Sequence, residues 1–227
     1  FVNKSISGLT IHPVYYDVTD VAKAFWIDMA YTGLPYGVKI EGLYATLNAS
    51  GNTETFLGKK NIADKDTDGY AVKVSGSVAG INLGASYASV SKGVLPIANT
   101  ATGFTKTKLY TASILSDGRI AAQPDVKSWK VEASTNYAGF DFGASYASYD
   151  VGANTNGKRL AGAGISSYTL NKDKSPSEFD FSVGTKIDEV NLTAYYIMQS
   201  DYATVGTEAR DRTAVNRFYQ FLILRKT

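Results

Sequence analysis

GYAVKVSGSVAGINLGASYASV, residues 69–90, is the stretch on which the fold class turns. In its first half Tyr70, Val72, Val74 and Val78 alternate with Lys73, Ser75 and Ser77. In its second half Ile81, Leu83, Ala85 and Tyr87 alternate with Asn82, Gly84, Ser86 and Ala88. A period of two sends successive side chains to opposite faces of a strand. The halves meet at Ala79-Gly80, a connection too short for anything but an antiparallel hairpin. One face is apolar with an aromatic near each end, and the other is small and polar with a single lysine. A soluble sandwich would turn the apolar face inward. A membrane barrel turns it outward and wets the polar face.

The pattern recurs in WKVEASTNYAGFDFGASYASY, residues 129–149. Val72 to Val90 lies over Val131 to Tyr149 without a gap, the turn returns as Ala138-Gly139, and GASYAS returns whole. Two such hairpins imply one long sheet. Alternation places further strands at about residues 9–18, 22–32, 38–49, 178–185, 190–199 and 212–224, which makes about ten in all. Pro13 makes the first irregular. Short turns follow the second, fourth, sixth and eighth strands. Long connections at 50–68, 91–128, 152–177 and 200–211 gather at the opposite edge, with a short folded piece allowed inside 91–128. Outer-membrane barrels have this asymmetry, and strands of about ten residues match their tilted span. Tyr70, Tyr87, Trp129, Tyr137, Tyr146 and Tyr196 would form two aromatic girdles. The fold class expected is all-β, a transmembrane antiparallel β-barrel in a single domain over residues 1–227.

Composition sets the outer bounds. The 227 residues hold no cysteine, so disulfides hold nothing together. Sixteen tyrosines and 21 glycines stand against five prolines. A net charge of +2 is too balanced to argue for a nucleic-acid partner. Hydrophobic residues make up 44%, yet no run approaches the roughly 18 apolar residues of a membrane helix. The chain opens at Phe1, as expected of a processed or truncated polypeptide.

The first residues, FVNKSISGLTIHPVYYDV, resemble the mid-chain turn and strand of the major outer membrane porins of Campylobacter and its relatives, through Val2, Asn3, Ser5, Ile6, Gly8, Leu9 and Thr10. VNLTAYYIM at 190–198, a polar stretch with Asp211 and Arg212, and the last strand are similar to that family's closing hairpin. The resemblance implies a trimeric porin of 16–18 strands in the bacterial outer membrane, of which this chain is the second half. Lipid and lipopolysaccharide would lie outside it. It also implies that the loop folded inward to narrow the pore belongs to the half not present here. The sequence departs from the family in ending LILRKT, where an aromatic is usual.

Candidate site residues follow from the polar face. Asp28, Lys39, Glu41, Lys73, Lys130, Glu132, Asp141 and Asp180 all fall on it. On a soluble sheet they are the wet surface; in a wide barrel they line water and set a weak ion preference through their mixed potential. Lys73 and Lys130 are expected at similar depth near the outer rim. Asp64, Asp66 and Asp68, in DKDTDG, match the opening of a calcium loop, but Ser75 stands where the closing glutamate belongs. A charged, solvated loop tip is the favoured reading of them, and calcium is the one cofactor considered. His12 is the sole histidine and has no nucleophile or second ligand in sequence, so no enzyme activity is expected. The function expected is passive diffusion of ions and small hydrophilic solutes. The alternative is a surface-exposed structural or adhesive β-protein of the outer membrane, displaying its long loops. A soluble β-sandwich is the third reading.

Overall fold

The computed structural model describes residues 2–59, 66–99, 106–116, 120–152, 156–161, 164–169, 175–188, 190–200 and 217–226. The strands are β1 (Leu9–Val18), β2 (Ala22–Tyr31), β3 (Lys39–Ala49), β4 (Thr67–Val78), β5 (Ile81–Val90), β6 (Val126–Tyr137), β7 (Phe140–Val151), β8 (Asn156–Ala161), β9 (Gly164–Thr169), β10 (Ser177–Ile187), β11 (Val190–Ser200) and β12 (Arg217–Lys226). Ten of them form one antiparallel sheet in the order β1-β2-β3-β4-β5-β6-β7-β10-β11-β12, and β8 pairs with β9 separately. β1 and β12 are the two ends of that order, so the barrel is open among the described residues.

Three connections differ from expectation. Residues 50–68, read as a polar loop, carry a helix, α1 (Gly51–Lys59), and then the start of β4. The Glu54 amide closes the first turn on the Ser50 carbonyl at 3.4 Å, and the Thr53 amide also reaches the Asp20 carbonyl at 3.1 Å. Residues 152–177 contain the β8–β9 hairpin rather than an unbroken loop. The third is the connection between β5 and β6, whose described residues (91–99, 106–116 and 120–125) fold back across one face of the sheet. The 201–216 stretch, with Asp211 and Arg212, lies outside the described residues.

The two repeated hairpins turn alike. Ala79 and Ala138 have φ of 50° and 51°, and Gly80 and Gly139 have φ of 80° and 82°. Positive φ at both central residues is the primed turn whose twist suits paired strands. Along the ladder Lys73 lies opposite Ser86, and Ser86 opposite Lys130. By sequence repeat, however, Lys73 corresponds to Glu132, two residues further on. One residue of stagger per strand, at about 3.3 Å per residue against about 4.8 Å between strands, tilts the strands by roughly 35°, the value of closed barrels.

The two faces separate as the alternation requires. Phe25, Val72, Leu83, Val131 and Phe181 stand exposed on the outer face, with Ile27, Phe142 and Leu192 half-buried beside them. Tyr44 pairs with Tyr70, Tyr87 with Trp129, and Tyr146 with Phe179, which makes one aromatic band across six strands near the long-loop edge. Ring centroids are 6.2 Å apart for Tyr70–Tyr87 and 5.4 Å for Trp129–Tyr146. Tyr31, Tyr137 and Phe140 mark the short-turn edge. Tyr196 sits one step inside the upper band, opposite Phe181.

The other face is not polar throughout. Toward the long-loop edge it carries Leu43, Ala45 and Leu47 on β3, Ala88 and Val90 on β5, and Tyr149 and Val151 on β7, all buried. Leu95, Ile97 and Leu109 of the infolded segment pack on the first group, and Ile120 and Ala121 on the second. The hydrophobic core thus lies between sheet and segment. Close approach is required at Gly69, where a Cβ would stand 2.9 Å from Ile97 Cγ1.

Candidate functional site

The face covered by the described residues of the β5–β6 connection holds the charges picked out by sequence. Glu132 is the hub. Its carboxylate receives Lys73 Nζ from β4, through Oε1, and Lys130 Nζ from its own strand at 3.1 Å. Gly84 makes this possible: a Cβ there would meet the Glu132 side chain at 2.9 Å. Lys39 and Glu41, neighbours on one face of β3, pair at 2.6 Å. Asp28 lies opposite His12 in the β1–β2 ladder, with Oδ2 3.7 Å from His12 Nδ1. Lys108, from the infolded segment, approaches the same oxygen at 3.8 Å. Tyr110, beside it, has its phenol pushed up to about 12 by burial first and then by Glu41 and Asp28, so it stays a neutral donor. Asp141 lies near the short-turn edge and accepts from Asn136 Nδ2 at 2.9 Å.

Three placements correct the sequence reading. Lys73 and Lys130 are in register through Ser86, but the strand tilt sets them at different depths: Lys130 lies next to Trp129 of the aromatic band and Lys73 three residues below Tyr70. Asp180 is on the expected face yet only 5% exposed, because residues 113–116 lie over it. A segment packed inward on the wall is present in this chain, where the sequence reading gave a long loop. Sequence reasoning overlooked Glu178, which is fully buried and binds that segment through both carboxylate oxygens. The available signal was two acids, Glu178 and Asp180, on one face at the loop end of a strand. Loop residues Lys108 and Tyr110 carried no such signal.

Of the carboxylates proposed for calcium, Asp64 lies outside the described residues. Asp66 Oδ1 accepts from the Ala49 amide and Asp68 Oδ1 from the Tyr44 hydroxyl, each at 3.2 Å. Among the described residues no three metal-binding side chains cluster. His12 Nδ1 faces the Asp28 carboxylate.

The lining of the covered face is water-accessible below the segment. An open cavity of about 840 Å³ runs between them, lined by Lys39, Asn82, Thr107, Lys130, Glu132 and Ser134 among others. Small side chains on the wall (Ser75, Gly143, Ser145, Ser182) keep it free of bulk.

No protein-family model matches the chain, and no curated protein matches it. Solved structures do. OpdO of Pseudomonas aeruginosa superposes with a TM-score of 0.63 at 15% identity, over 87% of this chain and 50% of that one. OccK5 (OpdH) of the same organism gives 0.66 at 14% identity, over 98% and 55%. A variant of OccD1 (OprD) gives 0.66 at 12%, over 98% and 58%. The fold is that of an outer-membrane porin barrel. The chain spans about half the length of the structures it matches. Barrels of that fold turn an aromatic and aliphatic face to lipid and a polar face to the lumen.

Proposed function

We propose that this chain forms one side of a diffusion channel in the bacterial outer membrane, narrowed by the described residues of its own β5–β6 connection and passing ions and small hydrophilic solutes. The observation that carries the reading is the lumen face: mixed charges and small side chains bound a water-accessible cavity beneath a segment packed inward. A display loop of an adhesive protein would project from the rim, whereas here the longest connection turns back onto the wall. Lys39 and Glu41 cancel, Lys108 stands beside Asp28, and the lysine that Glu132 leaves unoffset is matched by Asp141, so the wall's mixed charges give the channel only a weak ion preference. The resemblance of Val2 to Thr10 and of residues 190–198 to Campylobacter-type porins supports kinship with that group, and with it a homotrimer set among lipid and lipopolysaccharide. No catalytic role is assigned to any residue.

The test is conductance in a planar bilayer. Detergent-purified protein that migrates differently on a gel when unheated should give stable current steps that grow with salt. Folded, heat-modifiable protein that gives no steps would sink the channel reading and leave the adhesive one. A trimer-sized unheated band tests the assembly.

A further inference from the structure

The contacts that hold residues 110–116 are sorted by polarity. Three successive carbonyls of the segment each meet a donor from the wall. Ser86 Oγ reaches the Tyr110 carbonyl at 3.1 Å, Tyr149 Oη the Thr111 carbonyl at 3.0 Å, and Lys130 Nζ the Ala112 carbonyl at 3.0 Å. Three successive amides then each meet an acceptor. Ile114 N donates to Asp180 Oδ2 at 3.5 Å, Leu115 N to Glu178 Oε1 at 2.8 Å, and Ser116 N to Glu178 Oε2 at 2.9 Å. Glu178 Oε2 also accepts from Ser116 Oγ and from Gln199 Nε2, the latter at 2.8 Å. A backbone stretch with no strand of its own to pair with is thus satisfied group by group by side chains from β5, β6, β7 and β10. Buried amides without partners are strongly disfavoured, and a charged acceptor gives stronger bonds than a neutral one.

Resting on the channel reading above, we propose that Glu178 is the positioning residue of the constriction: it fixes residues 114–116 against the wall and so sets the width of the passage. Asp180 assists through Ile114. Glu178 thus takes two of the three consecutive amides and Asp180 the third. Without Glu178 the Leu115 and Ser116 amides must find water, which they reach by leaving the wall.

The chain has no cysteine, so each thiol introduced is unique. Thr111 is fully buried and its Oγ1 lies 2.7 Å from Ser128 Oγ, so Thr111→Cys with Ser128→Cys bridges segment and wall. Expected in a planar bilayer is steady current for the natural chain. Glu178→Ala should give larger mean conductance with excess current noise, and Glu178→Gln, which keeps one acceptor oxygen, an intermediate value. Oxidising the cysteine pair in the Glu178→Ala background should return conductance and noise toward the natural values, and reduction should release them. A merely structural residue would not show that reversal. Natural protein and Glu178→Ala with the same conductance and noise, or no change on oxidation, would overturn the proposal. Absent current from the natural chain would instead count against the channel reading. In that case labelling of Thr111→Cys by a hydrophilic thiol reagent decides: it should be slow alone and fast with Glu178→Ala or Glu178→Gln, and equal rates would refute the role of Glu178.

Discussion

Glu132 shows how much one side chain decides. It joins Lys73 and Lys130, which the ladder brings into register only because the stagger of the strands shifts the second hairpin by two residues. The charges were legible in the sequence, since alternation put all three on one face. Their pairing was not, because stagger depends on the register between strands. Removing Glu132 leaves two lysines uncompensated. Glu132→Gln should therefore move the reversal potential across a salt gradient toward anions at about 0.1 M salt. The shift should fade near 1 M, where the Debye length falls from about 10 Å to about 3 Å. An unchanged reversal potential at low salt would mean that this cluster does not touch the ion path. Stability should hardly change, since partly exposed pairs contribute about 0–1 kcal/mol. Lys130 is the wrong residue for that experiment, because it also holds the Ala112 carbonyl. At the turns, Ala79 and Ala138 occupy the left-handed region that asparagine and glycine tolerate better. Ala79→Asn and Ala138→Asn should each stabilise the folded barrel by about 1 kcal/mol. The measurement is the temperature at which the unheated gel band converts to the denatured one, and a fall in that temperature would refute the turn assignment.

The strands were the readable elements, because period two survives in nearly every one and the repeated hairpins fix two turns outright. Helix α1 was not readable: nine residues with two glycines, GNTETFLGK, show no apolar stripe, and helices of that length depend on tertiary packing. The infolding of the β5–β6 connection was hidden for a related reason, as the stretch has no period of its own. Its signature lay on the wall instead. Leu43, Ala45, Leu47, Val90 and Val151 occupy positions that alternation assigns to the wet face, and apolar side chains there require a cover. The face assignment can be challenged on one strand. Val131 is 47% exposed on β6, while Ser134 lines the cavity on the opposite, charged face of the same strand. Val131→Arg should destabilise the protein by about 2–4 kcal/mol in a lipid bilayer, and Ser134→Arg by far less. Equal penalties in denaturant unfolding from vesicles would mean that the faces are reversed or the chain is not in lipid.

At the scale of the molecule, β1 and β12 are the ends of the sheet order, and neither pairs with the other. An unpaired backbone group in hydrocarbon costs several kcal/mol, so in a membrane each free edge must meet further strands. Amide hydrogen exchange on the membrane-embedded protein should accordingly find the outer edge of β1 as protected as the β4–β5 ladder. Fast exchange confined to β1 would show an edge left open. A span of about half the length of the matched porin structures agrees with that expectation. The central claim is that one face of this sheet lines a conducting, water-filled path and the other meets lipid. Single cysteines in this cysteine-free chain test it most directly, by recording current while a bulky hydrophilic thiol reagent is added. Modification should lower the conductance of Ser75→Cys and Ser134→Cys and leave that of Val74→Cys and Ala133→Cys unchanged. Block at the second pair, or at none of the four in channels that do conduct, would contradict it.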